Sequence, residues 1–275
     1  MVTRRDYTAE AVAAARSVLI ELVHLLGEYR EHTVLIGGWI PELLFPGSTT
    51  PHVGSMDIDL ALDHRRIEDA DYKMIRELLL ERGYIEGAQP FVYYRDIEIG
   101  NKAIRVQVDF LSGEYAGTGK GHRHQMVQNL LVRKVRGCDL AFDMAQEVTV
   151  AGSLPGGGLD TVDIRVASVV PFLIMKGMAL DERLKEKDAW DIYFCLLHYP
   201  GGIKALAEAF RPHLNHGLIR EGIEKIRKHF SSVNHIGPKF VADFEEVDDE
   251  DERARIMRDA YERVQVLLES LANCK

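Results

Sequence analysis

The chain has 275 residues, 46% of them hydrophobic and 28% charged, with a formal net charge of −9. That length supports one large domain or two modest ones, and the acidic balance excludes the field of a general nucleic-acid binder, though not a local basic patch. No apolar run reaches the roughly 18–20 residues of a membrane span, no signal core follows Met1, and the three scattered cysteines (Cys138, Cys195, Cys274) form no CxxC pair, so the sequence predicts a cytoplasmic protein without disulfides.

In chain order, Val12, Ala15, Val18, Leu19, Leu22 and Leu25 repeat at helical spacing and predict a helix over residues 8–30. Thr33-Val34-Leu35-Ile36 reads as a short buried strand, followed by Gly37-Gly38 and a helix from Trp39 to Phe45. A loop rich in Gly, Ser, Thr and Pro over residues 46–55 leads into a strand, Asp57-Ile58-Asp59-Leu60-Ala61-Leu62. Residues 67–82 read as an amphipathic helix, and residues 91–99 and 103–111 as a hairpin pair turning at Gly100-Asn101. A loop rich in Gly and His over residues 113–124 precedes short strands at 129–135, 146–150 and 162–166, with Gly156-Gly157-Gly158 as a turn. Helices then dominate, at 169–183, 186–198, 202–210 and 253–272. The pattern predicts an α+β organisation: an α/β domain over residues 1–167 and a helical domain over 168–275. The acidic run Asp243 to Glu252 reads as a solvated linker or a helix start.

Side chains two apart in a strand share a face. Asp57 and Asp59 therefore project together, away from Ile58, Leu60 and Leu62. In the segment from Ile104 to Phe110, the residues Arg105, Gln107 and Asp109 likewise separate from Ile104, Val106, Val108 and Phe110. A sheet built from these two strands has one apolar face and an opposite face bearing three carboxylates. Such a set suits hard divalent cations, and Mg²⁺ typically takes one or two carboxylates and completes its shell with water and phosphate oxygens. Gly37-Gly38, between a strand and a helix, suits close approach of an anion.

These blocks together resemble a known family. Ile36-Gly37-Gly38-Trp39 followed by Ser55-Met56-Asp57-Ile58-Asp59-Leu60 resembles motif I of the DNA polymerase β nucleotidyltransferase superfamily. Val106-Gln107-Val108-Asp109-Phe110-Leu111 resembles its third-carboxylate strand. Phe172 to Lys176, Arg183, and Lys187-Asp188-Ala189-Trp190-Asp191-Ile192-Tyr193 are similar to the later motifs of the AbiEii/MenT-type branch, which includes toxins of toxin–antitoxin and phage-defence systems. The resemblance spans residues 30–200. It implies a nucleotidyltransferase mixed sheet flanked by helices, two Mg²⁺ ions, an NTP donor and transfer of NMP to a hydroxyl on tRNA, a protein or a small molecule. An antitoxin is the implied protein partner. Asp57, Asp59 and Asp109 would be catalytic and hold the metal. Gly37, Gly38 and Ser55 would contact the nucleotide, Lys176 would reach its phosphates, and Asp188 and Asp191 would complete the later motif.

Lys176 closes an apolar run and is expected to face the carboxylate cleft, with Arg105 as the alternative cation. A salt-bridged helix pair is the plainer reading of Lys176, Arg183, Asp188 and Asp191. His122-Arg123-His124 reads as a surface loop, because no carboxylate or thiol stands near it at ligand spacing. Cys138 and Cys195 read as buried small residues. Rossmann and Walker fingerprints are absent. The competing functional reading is a catalytically silent scaffold that binds a nucleotide or a partner protein.

Overall fold

A computed structural model of the chain describes residues 3–63, 66–67, 74–100, 102–113, 124–127 and 130–273. The chain divides into two compact units. One holds residues 7–43 and 54–168, and the other holds residues 1–6, 44–53 and 169–275.

The first unit is a mixed sheet flanked by helices. Helix α1 (Ala9–Leu25) starts at Thr8, whose side chain accepts a hydrogen bond from the Ala11 amide. It ends earlier than its periodicity suggests, and a 3₁₀ segment, Gly27–His32, carries the chain into β1 (Thr33–Ile36). Helix α2 (Ile40–Leu44) follows, then β2 (Asp57–Leu62), α3 (Ile75–Glu81), β3 (Ile85–Glu86), β4 (Val92–Ile99) and β5 (Lys102–Ser112). The expected helix over 67–82 is α3 in its described part, and residues 68–73 lie outside the described residues. Next come β6 (His124–Val127), β7 (Leu130–Lys134), α4 (Cys138–Asp143), β8 (Ala145–Ser153) and β9 (Leu159–Ala167). Of the expected loop His122-Arg123-His124, the first two residues lie outside the described residues and His124 begins β6.

Among the described residues the strand order is β3-β4-β5-β2-β1-β9-β8, with β7 joined to β5 and β6 to β7. Strand β4 runs antiparallel to β5, as the hairpin reading expects, whereas β2 pairs with β5 in parallel. One sheet face is apolar: Ile58, Leu60, Val106, Val108 and Phe110 are each 3% exposed or less. Helix α1 lies against it. Leu19, Leu22, Val23 and Leu26 line a small cavity with Leu60 and Ile164. Buried Glu21 of α1 pins the helix further by accepting from Arg82 at 2.9 Å and from Arg95 of β4 at 2.8 Å.

The second unit contains α5 (Val169–Arg183), α6 (Glu186–His198), α7 (Gly202–Phe210), α8 (Gly217–His229), α9 (Ile236–Phe244) and α10 (Glu250–Ala272). Helices α8 and α9 were not expected from the sequence, because glycine interrupts the first pattern and glycine with proline the second. Pro238 sits in the first turn of α9, where a missing N–H costs little. In α8, Ile219, Ile223 and Ile226 form a buried stripe through Gly222. The acidic run proves to be a helix start: Asp249 caps α10 by accepting from the Glu252 amide at 2.8 Å. It is not solvated throughout, since Glu245 accepts from the Trp190 indole at 2.5 Å and from Arg4 at 2.8 Å. No helix among the described residues is long and apolar enough to cross a membrane.

Gly222 is where α5 and α8 meet backbone to side chain. A Cβ added there would lie 2.6 Å from Ile174 Cγ2 and 3.1 Å from its Cα. Gly222→Ala gains up to about 1 kcal/mol of helix propensity but overpacks the contact at a cost of about 1–3 kcal/mol. A net loss of stability is expected. Urea unfolding of the variant would show it as a lower midpoint.

Candidate functional site

The register of β2 on β5 sets Asp59 opposite Asp109 and Asp57 opposite Gln107. Because the two strands pleat in phase, Asp57, Asp59 and Asp109 share the face opposite α1. Asp57 is exposed at the start of β2, and Asp59 and Asp109 are half-buried. Buried Ser55 donates its hydroxyl to Asp57 Oδ1 at 2.5 Å, and Gln107 Nε2 donates to Asp109 Oδ1 at 2.8 Å. Desolvation raises the pKa of Asp109 and the nearby Asp57 charge pushes the same way, against the Gln107 hydrogen bond and the Arg133 charge. The electrostatic coupling of Asp57 to Asp109 is what two carboxylates on adjacent strands should show.

Gly37 and Gly38 lie at this face, though not as a helix N-terminus that binds anions. They form a 3₁₀ turn, Gly37–Trp39, and the α2 that follows has five residues with Pro41, which lacks an N–H, as its second. So short a helix gathers little dipole. Gly37 serves Asp59 instead. Its φ is +77°, and a Cβ there would lie 2.0 Å from Asp59 Oδ2. Gly38 is buried. The indole of Trp39 donates to the Asp57 carbonyl at 2.8 Å, locking the turn to the first carboxylate residue.

Helix α4 covers the far end of the same face. Cys138 is buried there, and desolvation together with the charges of Asp139, Asp59 and Asp63 drives its thiol pKa far up. It is no nucleophile.

Lys176, Asp188 and Asp191 belong to the helical unit, where they build a buried ionic cluster. Lys176 Nζ lies 2.8 Å from Asp188 and 2.7 Å from Asp191. Arg183 grips Asp188 through two bonds of 2.7 Å, and Lys187 reaches Asp191 at 2.9 Å. His52, from the segment read as plain loop, joins Asp191 at 2.9 Å and packs against Trp190 and Phe194. The side chains of Asp188, Asp191 and His52 are 1%, 0% and 0% exposed, so every charge here depends on its partners. Burial alone would raise both aspartates, but the surrounding cations hold them below the usual carboxylate range. Any contact of the Lys176 amine with phosphate would come in addition to its two carboxylates. Arg105, the alternative cation, makes two bonds of 2.7 Å to Asp96 across the hairpin.

Among the described residues, no three His, Cys, Asp or Glu side chains converge closely enough to hold a metal ion as they stand. The donor chemistry nevertheless fits magnesium: Asp57, Asp59 and Asp109 offer carboxylate oxygens on one face, and two of them are now satisfied by Ser55 and Gln107, neutral donors that an ion can replace. Comparison with known proteins finds no matching family model, no matching curated protein and no matching solved structure.

Two residues with a bearing on these clusters escaped the sequence reading. His52 carries no local signal, because its partner stands 139 positions away. Arg133 carries a partial one: Leu130 and Val132 of β7 are buried, so alternation sends Arg133 to the other face.

Two outcomes are expected. Gly37→Ala forces a left-handed residue with a side chain, costing about 1–2 kcal/mol before any clash with Asp59. In denaturant titrations, Asp59→Ala should recover part of that loss in the double variant, and strict additivity would exclude the contact. The second concerns pH. Burial, aided by Lys187, lowers His52 to about 4 from 6.5 despite Asp191. A depressed histidine favours the folded state fully above the unfolded value. As pH falls from about 6.5 toward about 4 the unfolded chain gains a proton that the folded one refuses, and up to about 3 kcal/mol is lost. His52→Asn should flatten this limb of the stability profile relative to the parent, as read by unfolding at a series of pH values.

Proposed function

We propose that this protein is a magnesium-dependent nucleotidyltransferase, moving NMP from an NTP to an acceptor hydroxyl. The observation that carries the reading is the parallel β2–β5 register, which pairs Asp59 with Asp109 while Asp57 projects from the same face. Three like charges on one solvent-facing patch oppose folding unless something else makes use of them. The resemblance of the Gly37-Gly38, Asp57-Ile58-Asp59 and Asp109 blocks to the DNA polymerase β superfamily supports the same reading.

In this proposal Asp57 and Asp59 would hold both ions and Asp109 the catalytic one, and the ions when bound would supply charge neutralisation and acidify the attacking hydroxyl. The acceptor oxygen forms a bond to the α-phosphorus, the bond from that phosphorus to the bridging oxygen of the β-phosphate breaks, and pyrophosphate leaves. Asp109 stands beside the hydroxyl and assists its deprotonation. Gly37, Gly38 and Ser55 shape the edge on which the triphosphate lies, and catalysis is mainly positioning and electrostatics. The AbiEii/MenT-type resemblance favours tRNA, a protein or a small molecule as acceptor and an antitoxin as partner, and the sparse, unpaired cysteines favour a cytoplasmic setting. Lys176, Asp188 and Asp191 complete the later motif by fixing the helices that carry it.

The test is incubation with each labelled NTP, Mg²⁺ and a mixture of total tRNA, protein extract and aminoglycosides. Asp57→Ala, Asp59→Ala and Asp109→Ala should each lower transfer at least about 10²-fold. The same variants should melt no lower than the parent, because like-charge repulsion is relieved. Mg²⁺ and NTP together should raise the melting temperature more than either alone. Equal shifts with EDTA present would favour the silent scaffold.

A further inference from the structure

We propose that the terminal base of an RNA acceptor stacks on Tyr94 and the Arg105 guanidinium beside it, an assignment that rests on the nucleotidyltransferase reading and selects its acceptor. Strand pairing sets Ile85, Tyr94, Gln107 and Asp57 opposite one another in a single row across β3, β4, β5 and β2. Residues paired across strands share a face, so Tyr94 stands on the carboxylate face, one strand from Gln107 and two strand spacings, about 10 Å, from Asp57. The exposure of β4 agrees: Tyr93 is buried, whereas Tyr94 is half-buried and Asp96 exposed. The ring is held in place. A Cβ added to Gly87 would lie 3.1 Å from Tyr94 Cε2, so the backbone there closes on the ring edge. Arg105 Cζ lies 5.6 Å from the ring centre, and its guanidinium donates two bonds of 2.7 Å to Asp96. The Arg105 side chain stays 58% exposed, so a ring and a guanidinium plane lie side by side and meet solvent.

The direction of attack carries the acceptor over this pair. Strands β2 and β5, which hold the three carboxylates, are flanked by β1 on one side and β4 on the other. The Gly37 turn that follows β1 closes on Asp59, and the proposed triphosphate edge is on that side. In an in-line displacement the attacking and leaving oxygens stand on opposite sides of the phosphorus. With pyrophosphate leaving toward β1, the hydroxyl attacks from the β5 side near Asp109, and the rest of the acceptor continues over β4. There it meets Tyr94 and Arg105. Aromatic rings and guanidinium planes are the groups on which unpaired RNA bases stack. An aminoglycoside has no unsaturated ring to offer such a surface, and a serine or threonine acceptor has none beside its hydroxyl. Asp96 already balances the Arg105 charge, so the pair selects for flatness more than for charge. A contact confined to one terminal nucleotide also suits a chain of net charge −9, which does not favour a long phosphate track.

The test uses the full-length protein with Mg²⁺, labelled NTP and RNA acceptors, both single-stranded oligonucleotides and total tRNA. Each ends either in a normal nucleotide or in an abasic one that keeps the same ribose hydroxyls. Transfer by the parent to the abasic end is expected to fall about 10- to 100-fold in kcat/KM. Tyr94→Ala should lose a similar factor on the normal end, with NTP affinity kept, and little further on the abasic end, because both changes remove one contact. Tyr94→Phe keeps the ring and should recover most of that loss. Equal transfer by the parent to normal and abasic ends overturns the assignment, and this arm depends on no variant folding. A loss in Tyr94→Phe as large as that in Tyr94→Ala also overturns it, since the hydroxyl and not the ring would then matter. Label on a protein, tyrosine side chains included, or on an aminoglycoside, with none on any RNA end, overturns it while leaving the nucleotidyltransferase reading intact. Parent protein that neither binds NTP with Mg²⁺ nor transfers NMP to any of the three defeats that reading itself.

Discussion

The sheet unit depends on the parallel pairing of β2 with β5. That pairing commits two strands to one register and so decides two faces at once. On the inner face it stacks Ile58, Leu60, Val106, Val108 and Phe110, all buried, beneath α1. Each such side chain contributes roughly 1.5–3 kcal/mol. On the outer face the same register sets Asp59 opposite Asp109, and like charges on adjacent strands oppose the pairing. The apolar term wins by a wide margin. A slip of one residue would expose the apolar set and bury the carboxylates, so the register has no nearby competitor.

The outer face is then arranged around its charges. Ser55 and Gln107 donate to Asp57 and Asp109, and Trp39 ties the Gly37 turn to the Asp57 carbonyl. Gly37 leaves the space that the Asp59 carboxylate fills. Such support restricts where the three carboxylates can lie.

The helical unit solves a different problem. Lys176 and Lys187, both buried, and the half-exposed Arg183 share the two buried carboxylates of Asp188 and Asp191, with His52 held neutral alongside. Desolvating so many ions is costly, and the cluster is better understood as specifying the α5–α6 geometry than as a source of stability. Lys176 bridges both buried carboxylates, and its removal would leave each of them one cation short, so the elements that contribute to the cluster are held in one arrangement. Segment 44–53 is among them through His52.

Much of this was legible in the sequence because a period of two fixes which residues share a face within one strand. Alternation in Asp57–Leu62 and Ile104–Phe110 was enough to set three carboxylates apart from the apolar residues, and the helical spacing of α1, α5, α6 and α10 was equally local. Glycine and proline hid α8 and α9, since the reasons Gly222 and Pro238 are tolerated lie in packing and position rather than in propensity. Only tertiary structure decided that β2 meets β5 in parallel with Asp59 opposite Asp109, that β7 brings Arg133 to the same face, and that Lys176 and His52 both close on Asp191. Those are pairings between residues far apart in the chain. Local periodicity orients a side chain, but the neighbour it meets is set by which strands and helices gain most from being adjacent.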